Sequence, residues 1–113
     1  MPRLRSDIFV AALVRQASVD GAFAAVTHKG AAEAGAIFVK IARLDRTADL
    51  YGPAPQSLAD DDGDRRFERL AAREVEFEVD ERVRRELRFD PDCWVVEIED
   101  RQGRSFGLAL AEG

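Results

Sequence analysis

Ala36-Ile37-Phe38-Val39-Lys40-Ile41-Ala42-Arg43-Leu44 is the run on which the fold of this chain turns. Successive side chains of a strand point to opposite faces, so Ile37, Val39 and Ile41 share one face and Phe38 lies on the other. Apolar residues on both faces predict a central strand. Just downstream, Asp45-Arg46 reads as a two-residue turn into a strand over Thr47 to Tyr51. Gly52-Pro53-Ala54-Pro55 ends that strand, because proline supplies no ladder donor. Upstream, Lys29 to Gly35 is a connection and Ala22 to His28 a further strand. Before it, Ser6 to Val19 reads as a helix, with Ser6 and Asp7 as capping residues and Asp20-Gly21 as its stop. Phe9, Leu13 and Ala17 recur at i, i+4 and i+8 and form its expected core face.

The second half continues in the same manner. Residues 56 to 64 read as a solvated loop, and Arg65 to Leu70 as a polar strand. Glu74 to Val79 alternates, as either a short strand or the lead-in to a helix. That helix is predicted with Asp80 as its cap and with Val79, Val83 and Leu87 as its apolar stripe; Pro91 ends it. Asp92 to Asp100 is a strand with Trp94, Val96 and Ile98 inward and Cys93, Val95, Glu97 and Glu99 opposite. Asp100-Arg101-Gln102-Gly103 then turns the chain into a hairpin strand over Arg104 to Leu110. The predicted fold is α+β, one domain over residues 1–113: an N-terminal helix, a mostly antiparallel sheet, a second helix and a C-terminal hairpin.

The segment Arg88-Phe89-Asp90-Pro91-Asp92-Cys93-Trp94-Val95-Val96-Glu97-Ile98-Glu99-Asp100 resembles the C-terminal signature of a bacterial family, the domain of unknown function 1491. Arg3-Leu4 with Val10-Ala11 and Arg15, and Leu50-Tyr51-Gly52-Pro53-Ala54-Pro55, are similar to that family as well. The resemblance covers nearly the whole chain and is weakest between Gln56 and Asp80. It implies a small single-domain alphaproteobacterial protein, and it carries no activity, cofactor or catalytic residue.

Composition narrows the function classes. The 113 residues are 46% hydrophobic and 35% charged, with a net charge of -5. A chain of this size buries roughly two thirds of the surface it exposes unfolded, enough for a core without metal or disulfides. The negative charge argues against nucleic acid, since phosphate neutralisation supplies most of that affinity. The apolar run Ile8–Val14 follows Arg3 and Arg5 as a leader sequence would. However, Asp7 opens the run and Arg15 closes it without a small-residue cleavage site. It also stops well short of the about 20 apolar residues of a membrane span. We therefore expect a cytoplasmic protein that binds neither membrane nor nucleic acid. A single cysteine fits that compartment.

Motifs with chemical potential lack their required context. Gly103-Arg104-Ser105-Phe106-Gly107 matches the nucleophile elbow G-x-S-x-G, but no helix can follow it and the only histidine, His28, lies far upstream. Asp60-Asp61-Asp62-Gly63-Asp64 invites a calcium reading. Aligning Gly63 with the loop glycine puts Leu58 and Arg69 where carboxylates are required. Cys93 and His28 would be a nucleophile pair only if they met and the thiol were acidified. Glu97, Glu99 and Asp100 read as a solvated face. No catalytic residue, metal site or cofactor is expected.

Two functional readings remain. The first is a small non-catalytic interaction or regulatory module, acting through a homodimer or an unidentified protein partner, with Ile8, Val10, Val14 and Val95 as candidate interface residues. The second is a binding protein or enzyme for a small anionic metabolite. Fifteen of the 17 basic residues are arginine, whose planar fork suits carboxylate and phosphate. Arg82, Arg85, Arg88 and Tyr51 are the candidate anion-binding residues. A cleft collecting at least two unpaired arginines would favour the second reading, and an apolar surface bordered by polar residues the first.

Overall fold

The computed structural model describes residues 4–55 and 65–111. The chain runs through α1 (Ser6–Val19), β1 (Phe23–His28), β2 (Ile37–Ala42), β3 (Thr47–Pro53), β4 (Phe67–Val75), α2 (Glu76–Phe89) and β5 (Trp94–Glu99). The five strands form one sheet in the order β1-β5-β2-β3-β4. Three neighbouring pairs are antiparallel, and β2 with β5 is parallel. The expected α+β architecture with a mostly antiparallel sheet is present.

β2 sits at the centre of the sheet, and all six of its residues are buried. On one face, Ile37, Val39 and Ile41 join Tyr51, Trp94, Val96 and Ile98 beneath Val10, Leu13 and Ala17 of α1. On the other, Phe38, Ala48, Leu50, Ala71 and Cys93 pack against Val79 of α2, with Val83 and Leu87 at its margin. Each fully buried aliphatic side chain contributes about 1.5–3 kcal/mol relative to an exposed one, so a strand apolar on both faces belongs where both layers can reach it. The parallel pairing follows from α2, which carries the chain over the sheet and returns it beside β2.

Several local expectations change. Ser6 is the first residue of α1 and not its cap: its hydroxyl donates to the Gly35 carbonyl at 2.6 Å, and Arg5 holds the cap position without a side-chain hydrogen bond. The buried stripe of α1 is Ser6, Val10, Leu13 and Ala17. Phe9 is half-buried and stacks on Phe67, with centroids 5.7 Å apart. The Glu74–Val79 ambiguity resolves at Val75, where β4 passes directly into α2, so Asp80 lies inside the helix instead of capping it. The Glu76 amide at the helix start donates to the Arg46 carbonyl at 2.8 Å.

The C-terminal hairpin does not form. β5 already has β1 on one side and β2 on the other, so no ladder is left for residues 104–110. Positive φ at Gly103, Phe106 and Gly107 breaks the segment into turns. It reaches β4 instead, where the Phe67 amide donates to Ala109 and the Ala111 amide to Phe67, both at 2.8 Å. Phe106 and Leu108 are still buried, against the α1 layer.

Candidate functional site

The signature around Trp94 is a clamp on the β1–β2 connection. The Trp94 indole Nε1 donates to the Ala31 carbonyl at 2.7 Å, and its backbone amide to Ala36 at 2.7 Å. The Ala31 amide donates to Asp92 at 2.8 Å. Gly30 and Gly35 let the connection lie directly on this backbone. A Cβ at either would run into the Asp92 carbonyl oxygen. The residues that carry the family resemblance therefore do structural work here.

Lys40 is the most unusual ionisable group. It points from β2 to the α2 side, only 4% exposed. Nζ lies 2.7 Å from Asp80, 2.8 Å from Glu76 and 3.4 Å from Glu97. Burial opposes its charge, but the hydrogen bonds to Asp80 and Glu76 and the charge of Glu97 prevail and hold the ammonium above the ordinary lysine pKa of 10.5. An amine so held stays protonated at neutral pH and is neither nucleophile nor base. It pins α2 to the centre of the sheet. Beside it opens a cleft of about 290 Å³, walled also by Thr27, Val83, Arg84 and Val95. Sequence reading passed over this cluster, although its signal was present: a lone cation in phase with Phe38 inside the most apolar strand.

The candidate anion-binding residues are not brought together. Tyr51 is fully buried on the α1 face, where its hydroxyl accepts from Arg69 at 2.9 Å. Arg82, Arg85 and Arg88 ride on α2, across the sheet. Arg82 reaches toward the Leu70 carbonyl at 3.5 Å and Glu86 at 4.0 Å, while Arg85 and Arg88 are exposed. The cleft beside Lys40 holds one arginine, Arg84, already on Glu81 at 2.6 Å.

Of the candidate interface residues, Ile8 is exposed and Val14 half-buried. Val10 and Val95 are corrections: both are buried within the chain, Val10 under α1 and Val95 on the α2 side of β5. A residue opposite the first core is not at the surface when a second helix covers that face.

His28 and Cys93 do meet, but through the backbone. His28 Nδ1 is 2.9 Å from the Cys93 carbonyl oxygen, which can only accept, so Nδ1 carries the proton. The thiol is fully buried. Burial first, then the charges of Asp90, Glu86 and Asp92, push its pKa up to about 11, the opposite of activation. Native protein is expected to resist iodoacetamide at about pH 8 and to be alkylated stoichiometrically once unfolded. Mass spectrometry of the two samples checks this, and rapid labelling of the native protein would contradict it.

Ser105 lies in the turn between Gly103 and Gly107, its carbonyl accepting from the Leu108 amide at 3.1 Å. Glu97 serves Lys40. Asp100 accepts from the Arg104 amide at 2.7 Å and from its guanidinium at 3.1 Å; against the effect of burial these bonds hold its carboxyl below the ordinary range. The calcium reading at Asp60–Asp64 lies outside the described residues. Among the described residues no three histidine, cysteine or carboxylate side chains are placed to hold a metal ion, the carboxylates around Lys40 being gathered by its ammonium, and no helix is long and apolar enough to cross a membrane.

The two edges of the sheet differ. β4 carries Glu68, Arg69, Arg73 and Glu74, and the 109–111 segment covers its start. β1, Phe-Ala-Ala-Val-Thr-His, has no acidic, lysine, arginine or proline residue. Phe23 is 65% and Val26 42% exposed, and no described strand pairs with its outer side.

A comparison with curated proteins finds no match. Solved structures do match. A crystal structure of a DUF1491 family protein from Caulobacter crescentus is 44% identical, with a TM-score of 0.80 over 96% of this chain and 99% of that one. A solution structure of a protein from A. tumefaciens is 47% identical, with a TM-score of 0.84 over 98% of this chain and 97% of that one. The sequence profile described as "Protein of unknown function (DUF1491)" matches residues 4–107. Reaching from Leu4 through the Trp94 clamp to Gly107, that match places the chain in the DUF1491 family.

Proposed function

We propose that this protein is a non-catalytic interaction module that takes an extended segment of a partner polypeptide onto the outer edge of β1. The observation that carries the reading is the contrast between the two edges. Natural sheets blunt a free edge with charge, proline or a covering segment. β4 uses charge and cover, whereas β1, among the described residues, has neither and carries no proline; its register shifts once, between Val26 and His28, and it offers Phe23 and Val26 on an unpaired outer side. A strand added there gains main-chain hydrogen bonds, with the side chains on either face supplying selectivity. The alternative, a binder of anionic metabolites, has less support: among the described residues the cleft beside Lys40 holds a single arginine, Arg84, and that guanidinium is engaged by Glu81.

The test begins with a photo-crosslinking residue in place of Val26 in the native cell, with the same residue at exposed Arg101 as control. The expected result is a protein captured at position 26 and not at 101. A synthetic peptide of its crosslinked segment should then bind the purified wild type and bind Val26→Lys at least about tenfold more weakly, since an edge lysine disfavours strand addition. Equal capture at both positions, or peptide binding unchanged by the lysine, would overturn the reading.

A further inference from the structure

α2 lies on the sheet through Val79, Val83 and Leu87. At 100° per residue the opposite side of the helix carries Phe77, Glu78, Glu81, Arg85, Arg88 and Phe89. Two features of that side are unusual. Phe77 is 65% and Phe89 89% exposed, one aromatic at each end of the helix. The charge between them is segregated: Glu78 and Glu81 lie in the first half of that side, and Arg85 and Arg88 in the second. Among the described residues, Glu78, Arg85 and Arg88 have no ion-pair partner, and Glu81 meets only Arg84.

We propose that two copies of this chain associate through these outward faces of α2, antiparallel about a two-fold axis that passes opposite Val83. That axis brings Phe77 level with Phe89 of the partner subunit, Glu78 level with the partner's Arg88 and Glu81 level with the partner's Arg85, so that each acidic half lies along a basic half. The self-complementarity is a property of the residue order. A parallel pairing would set acidic half on acidic half and basic on basic, which is disfavoured. A closed two-fold contact is isologous and uses one patch twice. One aromatic from each subunit lies at each end of a helix contact about 18 Å long, at the rise of 1.5 Å per residue. So short a contact makes a weak dimer, in the micromolar range or above, governed by charge and sensitive to salt. α2 packs over β2, β3 and β4, and β1 is the strand at the far edge, so this contact is independent of strand addition at β1.

The experiment is sedimentation equilibrium of the purified full chain, up to about 500 µM, in low salt and in about 0.5 M NaCl. The wild type is expected to show a monomer–dimer equilibrium between 12.6 kDa and twice that mass, weakened at least threefold, in round terms about half a decade, by the salt. Glu78→Arg and Arg88→Glu each place like charges across the axis, and each is expected to weaken the dimer by about tenfold or more. Mixed, the two variants present unlike charges at both contacts and are expected to form a heterodimer tighter than either variant alone. Circular dichroism confirms that each is folded. A single 12.6 kDa species throughout, a dimer indifferent to either reversal, or no heterodimer on mixing would overturn the proposal. A dimer that responds to Val26→Lys instead would place self-association on the β1 edge.

Discussion

Trp94→Ala is expected to remove about 3–5 kcal/mol of stability, the usual range for truncating a buried aromatic. Its ring fills the α1 layer beside Ile37 and Val96, and its Nε1–H is the bond that holds Ala31 at 2.7 Å. Truncation leaves a cavity and also strips a carbonyl of its partner, while the glycine-packed connection above loses its floor. Trp94→Phe keeps most of the volume and loses the bond, so it is expected to cost less, about 1–3 kcal/mol. For a domain of this size the alanine change corresponds to a fall of roughly 15–30 °C in Tm. Urea unfolding of the three proteins measures the difference. A loss below about 1 kcal/mol for the alanine variant would mean that the clamp is not what holds the β1–β2 connection.

Lys40→Ala is expected to be the next most damaging change, at about 2–4 kcal/mol. Removing one member of a buried ion cluster ordinarily costs about 3–5 kcal/mol. Here Glu76, Asp80 and Glu97 keep about a third of their side-chain surface in water and can rehydrate, which lowers the figure. Lys40→Met retains the apolar stem and isolates the charge. Because the folded ammonium titrates above its ordinary value of 10.5, the native state holds the extra proton. The stability from this group is therefore complete below the ordinary lysine pKa and is lost as pH rises through the folded value. The gap between wild type and Lys40→Met is expected to be constant from about pH 6 to 9 and to shrink toward about pH 11. An unchanged gap at high pH would remove Lys40's charge from the account.

What could be read from the residues alone was whatever depends on near neighbours along the chain. Period-two alternation placed Ile37, Val39 and Ile41 on one face of β2 and Trp94, Val96 and Ile98 on one face of β5. The i, i+4, i+8 spacing placed Val79, Val83 and Leu87 on the sheet. Even the Lys40 cluster left a trace, since a cation inside an apolar strand must find carboxylates. Which carboxylates it finds was not legible, because Glu76, Asp80 and Glu97 come from two elements more than 30 residues away.

The tertiary structure alone decided how the strands compete for neighbours. β5 inserts between β1 and β2, and that one choice denies residues 104–110 a hairpin partner and sends them to β4. It also brings Val95 beneath the α2 side, where a strand face that looked free is covered. Tyr51 and the α2 arginines, candidates for one site, were separated by the sheet itself. Alternation says that a strand has two faces, but it does not say which element lies over each. Sequence therefore determined the two helices, the five strands in outline, the apolar faces of β2 and α2, and the family to which the chain belongs. Strand order, and with it every juxtaposition that could make a site, was decided by which ladders and faces remained unfilled once the other elements had packed.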